Sequence, residues 1–200
     1  MDASLKLFTP AEYLTFERKS ETKHEYFAGT IYAMAHANAR HSLLIVNLIC
    51  ELGTQLRKRP EQVYHCNMRL KVAKTGLYTY PDVIVVSGNP QFEDNESDIL
   101  LNPLVIVEVL SKSTEAYDRG KKFQHYRTID TLMEYLLVAQ DSYHVEHYVR
   151  QADGHWLLSE ATDLQETVHL PTINCDLTLE DVYDKVEIVP EYMHLNGAQE

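Results

Sequence analysis

The alternation of apolar and polar positions divides the chain into helix-like and strand-like stretches. "TPAEYLTFERKS" (9–20) reads as a short helix, with Thr9 able to cap it and Pro10 suited to its first turn. "HEYFAGTIYAMA" (24–35) reads as two short strands around Ala28 and Gly29. In "HSLLIVNLICELGTQLRKR" (41–59), Ile45, Leu48, Leu52 and Leu56 recur on one stripe and predict a long helix. "VYHCNMRLKVA" (63–73) and "LYTYPDVIVVSG" (77–88) are β-rich, and the second contains an unbroken apolar run at 83–86, as a central strand does. "GNPQFEDNESDILLNP" (88–103) reads as a polar loop, and 104–110 is a second apolar strand. Ser113 or Thr114 then caps a helix reaching about Arg127, with Glu115 and Asp118 in its first turn. "EYLLVAQ" (134–140) is a further strand. "YHVEHYVRQ" and "HWLLSEAT" flank the turn "ADG" as a hairpin, and "LTLEDVYDKV" (177–186) is a short helix. This order predicts one mixed α/β domain over residues 1–200.

One residue breaks the apolar run at 104–110: Glu108. An unpaired carboxylate inside a sheet costs several kcal/mol. Glu108 therefore needs a basic partner, a hydrogen-bond network or a metal, unless it faces solvent at the strand end. Asp82 follows Pro81, where the other apolar strand begins. If the two strands are neighbours, Asp82 and Glu108 can share a face. Converging carboxylates suit Mg²⁺, which also relieves their mutual repulsion. In the helix that follows, Asp118 and Lys122 are spaced i, i+4, as are Glu115 and Arg119. Such spacing commonly marks a surface pair worth ~0.2–0.5 kcal/mol. The alternative is that Lys122 points back over the strand ends, where a lysine orients a metal-bound water or stabilises a phosphate.

Composition narrows the picture. With 200 residues, 44 % hydrophobic and 24 % charged, the chain has the make-up of a soluble globular protein large enough for a real core. Its longest apolar runs fall short of the ~18 residues of a membrane helix, and the N-terminus lacks a signal-peptide core, so the cytoplasm is the expected location. Cys50, Cys66 and Cys175 form no CxxC pair, which argues against a zinc knuckle or a disulfide framework; each is expected to be a buried or half-buried hydrophobe. A net charge of −12 opposes unspecific nucleic-acid binding over the whole surface. Local basic segments remain at 57–59, at 69–74 and at 112–127; the last has five cations against two acids. Among the histidines near this framework (His24, His36, His41 and His125), His41 opens the long helix, as a phosphate or acid contact or as an ordinary surface residue. His144 and His147 are three apart on a strand, so they face opposite sides and form no metal pair. Ser111, Ser113 and Thr114 are explained by helix capping.

"YPDVIVV", "LVIVEVLSKSTEAYDRGKKFQHYR" and "EYLLV" together resemble the Uma-two family, restriction-endonuclease-like proteins of the PD-(D/E)XK nuclease superfamily. The likeness runs over most of the chain, from about residue 23 to residue 156, and rests on the combination of "PDV", "VEVLS-x-ST", "YDRG-x-K" and "EYLLV". It implies a restriction-endonuclease-like fold, a mixed sheet core flanked by helices with additional β-hairpins, and a metal-dependent endonuclease acting on DNA. Mg²⁺ is the implied cofactor, with Mn²⁺ as a substitute. Asp82 matches the acid of the PD element and Glu108 the acid of the (D/E)-x-K element. Glu25 matches an acid near the start of the family that completes the metal site, and the Val109 carbonyl offers another ligand. Where the superfamily pattern has its lysine, this chain has Leu110. The family is similar to members whose lysine has moved to the following helix; Lys122 matches that position, Lys121 is its alternative, and Lys112 lies past the strand end. A non-catalytic nuclease-fold binding or regulatory module, and a metal-dependent hydrolase of another substrate such as RNA, are the competing expectations. Cutting both strands of a duplex takes two sites, so a homodimer is expected.

Overall fold

The computed structural model describes residues 7–34 and 37–188; His36 lies outside the described residues. Thr9 caps α1 (Pro10–Glu17): its hydroxyl accepts the Glu12 N–H, and the Glu12 carboxylate accepts the Thr9 N–H in return. β1 (His24–Phe27) and β2 (Thr30–Ala33) form the expected hairpin. Ala28 (φ 49°) and Gly29 (φ 87°) both take left-handed backbone, as a two-residue turn needs to match the strand twist. α2 (Ala39–Gln55) begins at Asn38, whose side chain accepts the His41 N–H, and buries Leu44, Ile45, Leu48 and Leu52.

The remaining strands are β3 (Glu61–His65), β4 (Arg69–Val72), β5 (Leu77–Thr79), β6 (Val83–Ser87), β7 (Ile99–Leu100), β8 (Val105–Leu110), β9 (Glu134–Ala139), β10 (Val145–Arg150), β11 (Trp156–Ala161), β12 (Thr167–Leu170) and β13 (Cys175–Thr178). Among the described residues they build a six-stranded sheet in the order β11-β10-β9-β8-β6-β3, a five-stranded sheet β2-β1-β5-β4-β7, and the hairpin β12-β13. β8 and β9 run parallel, so the chain must cross over between them. The crossover is helical: α3 (Glu115–Tyr117), a π-turn (Asp118–Lys122) and α4 (Phe123–Tyr126). A short α5 (Leu179–Val182) follows β13.

The six-stranded sheet is covered on both faces. Val83, Val85, Val105, Val107 and Val138 pack with α2, β12-β13 and α5. Ile84, Ile106, Tyr135 and Leu137 pack with the five-stranded sheet and with Phe123 and Tyr126 of the crossover. The crossover and the five-stranded sheet therefore meet the same face of the main sheet.

Several sequence expectations are redrawn. Residues 63–73 are two strands in different sheets, split by a turn that Met68 N–H closes on the His65 carbonyl. Residues 77–88 are likewise two strands, parted around Pro81, which has no N–H to continue a ladder. The loop 88–103 contains β7, and the strands β12 and β13, four residues each, are too short for their alternation to signal a hairpin in the sequence. The crossover starts at Glu115, with no side-chain cap from Thr114, and is not one regular helix. Cys50 is exposed on the outer side of α2, against the expectation of burial, while Cys175 is buried and Cys66 is intermediate.

Candidate active site

Glu108 is the fourth residue of β8 and is buried. The β6–β8 register pairs Val83 with Val107, so one further step sets Asp82 opposite Glu108. Asp82 Oδ2 accepts the Val109 N–H at 2.8 Å, which fixes the carboxylate to the neighbouring strand. Its Oδ1 lies 3.1 Å from His41 Nε2, so α2 reaches the site through its first turn. β1 brings Glu25 from the other sheet, where the Thr79 hydroxyl donates to its Oε1.

The crossover supplies the cation. Lys122 Nζ stands 2.9 Å from Glu108 Oε1, 3.3 Å from Asp118 Oδ1 and 3.5 Å from Glu25 Oε1. Tyr126 donates its hydroxyl to Glu108 Oε1 at 2.7 Å. Side chains of Glu108, Asp118 and Lys122 are 4 to 6 % exposed, against 13 % for Asp82 and Glu25 and 17 % for His41, so the site opens toward the last three. Lys121, the alternative lysine, is exposed, and so is Lys112.

The electrostatics follow from this geometry. Burial is the main force pushing the Glu108 carboxyl up to about 8; Lys122 opposes it, while the charges of Asp118 and Asp82 add to it. Burial pulls on Lys122 in the opposite sense, but Glu108, Tyr126, Asp118 and Glu25 together hold its ammonium well above the ordinary lysine range. The two directions are compatible. Three carboxylates face one ammonium, so the lysine keeps its proton, while burial first and the neighbouring acids second favour the neutral form of Glu108.

A divalent cation suits this donor set in kind. The donors are hard carboxylate oxygens, and the acids outnumber the lysine. Asp118 Oδ1 is buried without a hydrogen-bond partner. Among the described residues, however, no three His, Cys, Asp or Glu side chains stand close enough together to hold one ion; the acids converge on the Lys122 ammonium.

Of the sequence candidates, the structure brings together Asp82, Glu108, Lys122 and Glu25, and it sets His41 beside Asp82. The Val109 N–H holds Asp82. Asp118, weighed in the sequence as half of a helix-surface pair, is buried in the site. Its signal was the i, i+4 spacing to Lys122, and Tyr126 continued that spacing. The other histidines serve elsewhere: His24 Nδ1 pairs with Glu17 at 2.9 Å, His125 packs edge-on against Phe27, and His144 and His147 meet separate carboxylates, Glu160 and Glu134. Most cations of the basic segments are already paired. Arg59 meets Glu61, Arg69 lies buried between Tyr80 and Asp98, Lys71 and Lys74 meet Glu93 and Asp130, and Arg119 meets Glu115 and Glu146.

Comparison with known proteins gives a concordant picture. The model of the Uma2 family, described as "Putative restriction endonuclease", matches residues 10–180. Two relatives come from Synechocystis sp. (strain ATCC 27184 / PCC 6803 / Kazusa). "Uncharacterized protein sll1609" is 42% identical over 158 residues, 79% of this chain and 89% of the relative. "Uncharacterized protein slr1290" is 35% identical over 177 residues, 88% of this chain and 90% of the relative. A crystal structure of "a putative nuclease belonging to DUF820" from Anabaena variabilis ATCC 29413 superposes with a TM-score of 0.72 at 17% identity, covering 90% of this chain and 99% of that one. At that identity the likeness is one of fold, and the fold is the restriction-endonuclease-like mixed α/β arrangement. Among the described residues, no helix is long and apolar enough to cross a membrane.

Proposed function

The chain belongs to the Uma2 family, and on that premise we propose that it is a metal-dependent endonuclease that hydrolyses phosphodiester bonds in DNA. The observation that carries this reading is the Lys122 ammonium held among Glu108, Asp118 and Glu25, with Asp82 on the neighbouring strand. A structural ion pair needs one acid for one base; the surplus of acid around Lys122 supports a site that takes further positive charge.

In this reading Asp82, Glu108 and Glu25, with the Val109 carbonyl, would be the ligands of Mg²⁺ or Mn²⁺, and the acids would have to draw closer than their arrangement around Lys122. When bound, such an ion polarises a phosphoryl oxygen and lowers the pKa of a coordinated water. Lys122 orients the attacking water and offsets negative charge growing on the phosphate. His41 holds Asp82 from the open side, and Tyr126 holds Glu108 from the closed side. Lys121 and Arg127, exposed on the crossover that turns Lys122 inward, meet backbone phosphates. Two copies cut the two strands of a duplex.

The test is plasmid cleavage with Mg²⁺ and Mn²⁺, alongside calorimetric titration of either ion. Cleavage by the wild type and its loss in Asp82→Ala support the reading. A wild type that neither cuts DNA with any divalent ion nor binds one overturns it. Cleavage of RNA but not DNA moves the substrate and keeps the site.

A further inference from the structure

Asp118 helps surround Lys122 but is given no chemical task in the reading above, yet it is buried, it lies 3.3 Å from the Lys122 ammonium, and its Oδ1 makes no hydrogen bond. A carboxylate oxygen that deep, held by charge at 3.3 Å and by no hydrogen bond, calls for an explanation. The backbone around it is unusual as well. Residues 118–122 form a π-turn between two short α-helical pieces, and such widened turns recur at functional sites. In a regular helix, residues 118 and 126 would diverge by about 80°. One widened turn takes up that drift, and Asp118, Lys122 and Tyr126 all become buried on the side of Glu108. The turn is itself anchored, because the buried Tyr135 hydroxyl donates to the Asp118 carbonyl at 3.2 Å.

We propose that Asp118 is a positioning residue for Lys122. It draws the ammonium back along its own helix, so that Nζ stays among Glu108, Asp118 and Glu25 and does not settle into a closed pair with Glu108 alone. The role depends on a charged oxygen at that place, and Asp118 itself touches neither substrate nor metal. This inference rests on the nuclease reading for its catalytic consequence and on the Asp118–Lys122 geometry for its physical one, and the experiment separates the two.

The experiment is a double-mutant cycle over Asp118→Asn and Lys122→Met, read in two ways. In cleavage of a duplex with Mn²⁺, Asp118→Asn is expected to lower kcat by about ten- to a hundredfold, the usual range for a residue acting through another. KM and the calorimetric Mn²⁺ affinity stay within about threefold, well below that range. Asp118→Glu recovers part of kcat, and Asp118→Asn in the Lys122→Met background costs nothing further. In chemical denaturation, which needs no catalysis, Asp118→Asn shifts the midpoint when Lys122 is present and shifts it less when residue 122 is Met. Additive effects in both cycles overturn the proposal. So does an Asp118→Asn variant that has lost Mn²⁺ affinity, since Asp118 would then act on the ion directly. If the wild type cuts nothing, the nuclease reading fails while the denaturation cycle still decides the coupling.

Discussion

Two glutamates are buried in adjacent parallel strands of one sheet, and they live in opposite electrostatic circumstances. Glu134 opens β9 with no exposure at all. Its Oε2 lies 2.6 Å from His147 Nε2, and its Oε1 accepts the Thr172 N–H at 2.7 Å. Each oxygen has its own partner, and the bonds tie β10 and the β12–β13 connection to the sheet. Glu108 in β8 shares one ammonium with two other acids. Burial alone does not distinguish a clamp from a reactive centre. The count of partners separates these two: each Glu134 oxygen has its own partner, whereas Glu108 shares one cation with two further acids, and the proposed nuclease reading draws on that surplus.

Breaking the two pockets should therefore give different phenotypes. The largest effect is expected on cleavage. Asp82→Asn or Glu108→Gln should lower the rate of DNA nicking by about a hundredfold or more, beyond the usual loss for an outer-shell residue. Glu134→Gln should leave the rate per folded molecule intact. A reversed pattern would end the distinction drawn between the pockets.

Next comes ligand-linked stability. Mn²⁺ at a hundred times its dissociation constant should raise the unfolding free energy by about 2.7 kcal/mol. Denaturant melts should show that gain in the wild type and in His147→Ala, and not in Asp82→Asn. Of similar size is the cost of His147→Ala itself, about 1–3 kcal/mol, because it leaves a Glu134 oxygen buried without its partner.

A separate effect concerns pH. The Glu108 carboxyl sits higher in the fold, at about 8, than its ordinary 4.5, so between these values the folded state holds a proton that the unfolded chain has lost. With a chelator present, the stability contributed by this group should be full below about 4.5 and fall as pH rises toward 8. Glu108→Gln should flatten that slope in urea melts across the window. The smallest effect belongs to Lys121→Ala. With the side chain outside the pocket, kcat should stay within about twofold, and the change should appear as a shallower salt dependence of binding.

The long apolar stripe of α2, the hairpin at Ala28 and Gly29, and the two apolar strands carrying Asp82 and Glu108 were all legible in the sequence. Each depends on local periodicity or turn chemistry. The strand breaks at 66–68 and around Pro81 were harder to read, because the β-rich composition continues across both while the partner sheet changes. β7 is two residues long and β12 four, too short for alternation to declare itself. Within the site, Asp82 and Glu108 stood out as charges in or next to apolar runs, and Lys122 through the family resemblance. Asp118 did not, since acid and base at i, i+4 look the same on a helix surface and in a pocket.

The sequence by itself determined which residues carry charge, which runs seek burial, and the family the chain resembles. Tertiary structure decided how those charges are shared. It separated β5 from β6 so that Glu25 and Asp82 arrive from different sheets, and it widened one turn of the crossover so that Asp118, Lys122 and Tyr126 point the same way. It also matched Glu134 to His147 and Thr172 while leaving three acids around one lysine. The physical reason is range. Periodicity and capping act over a few residues, whereas the protonation and availability of a buried carboxylate depend on every charge within several ångströms, most of them distant in the chain.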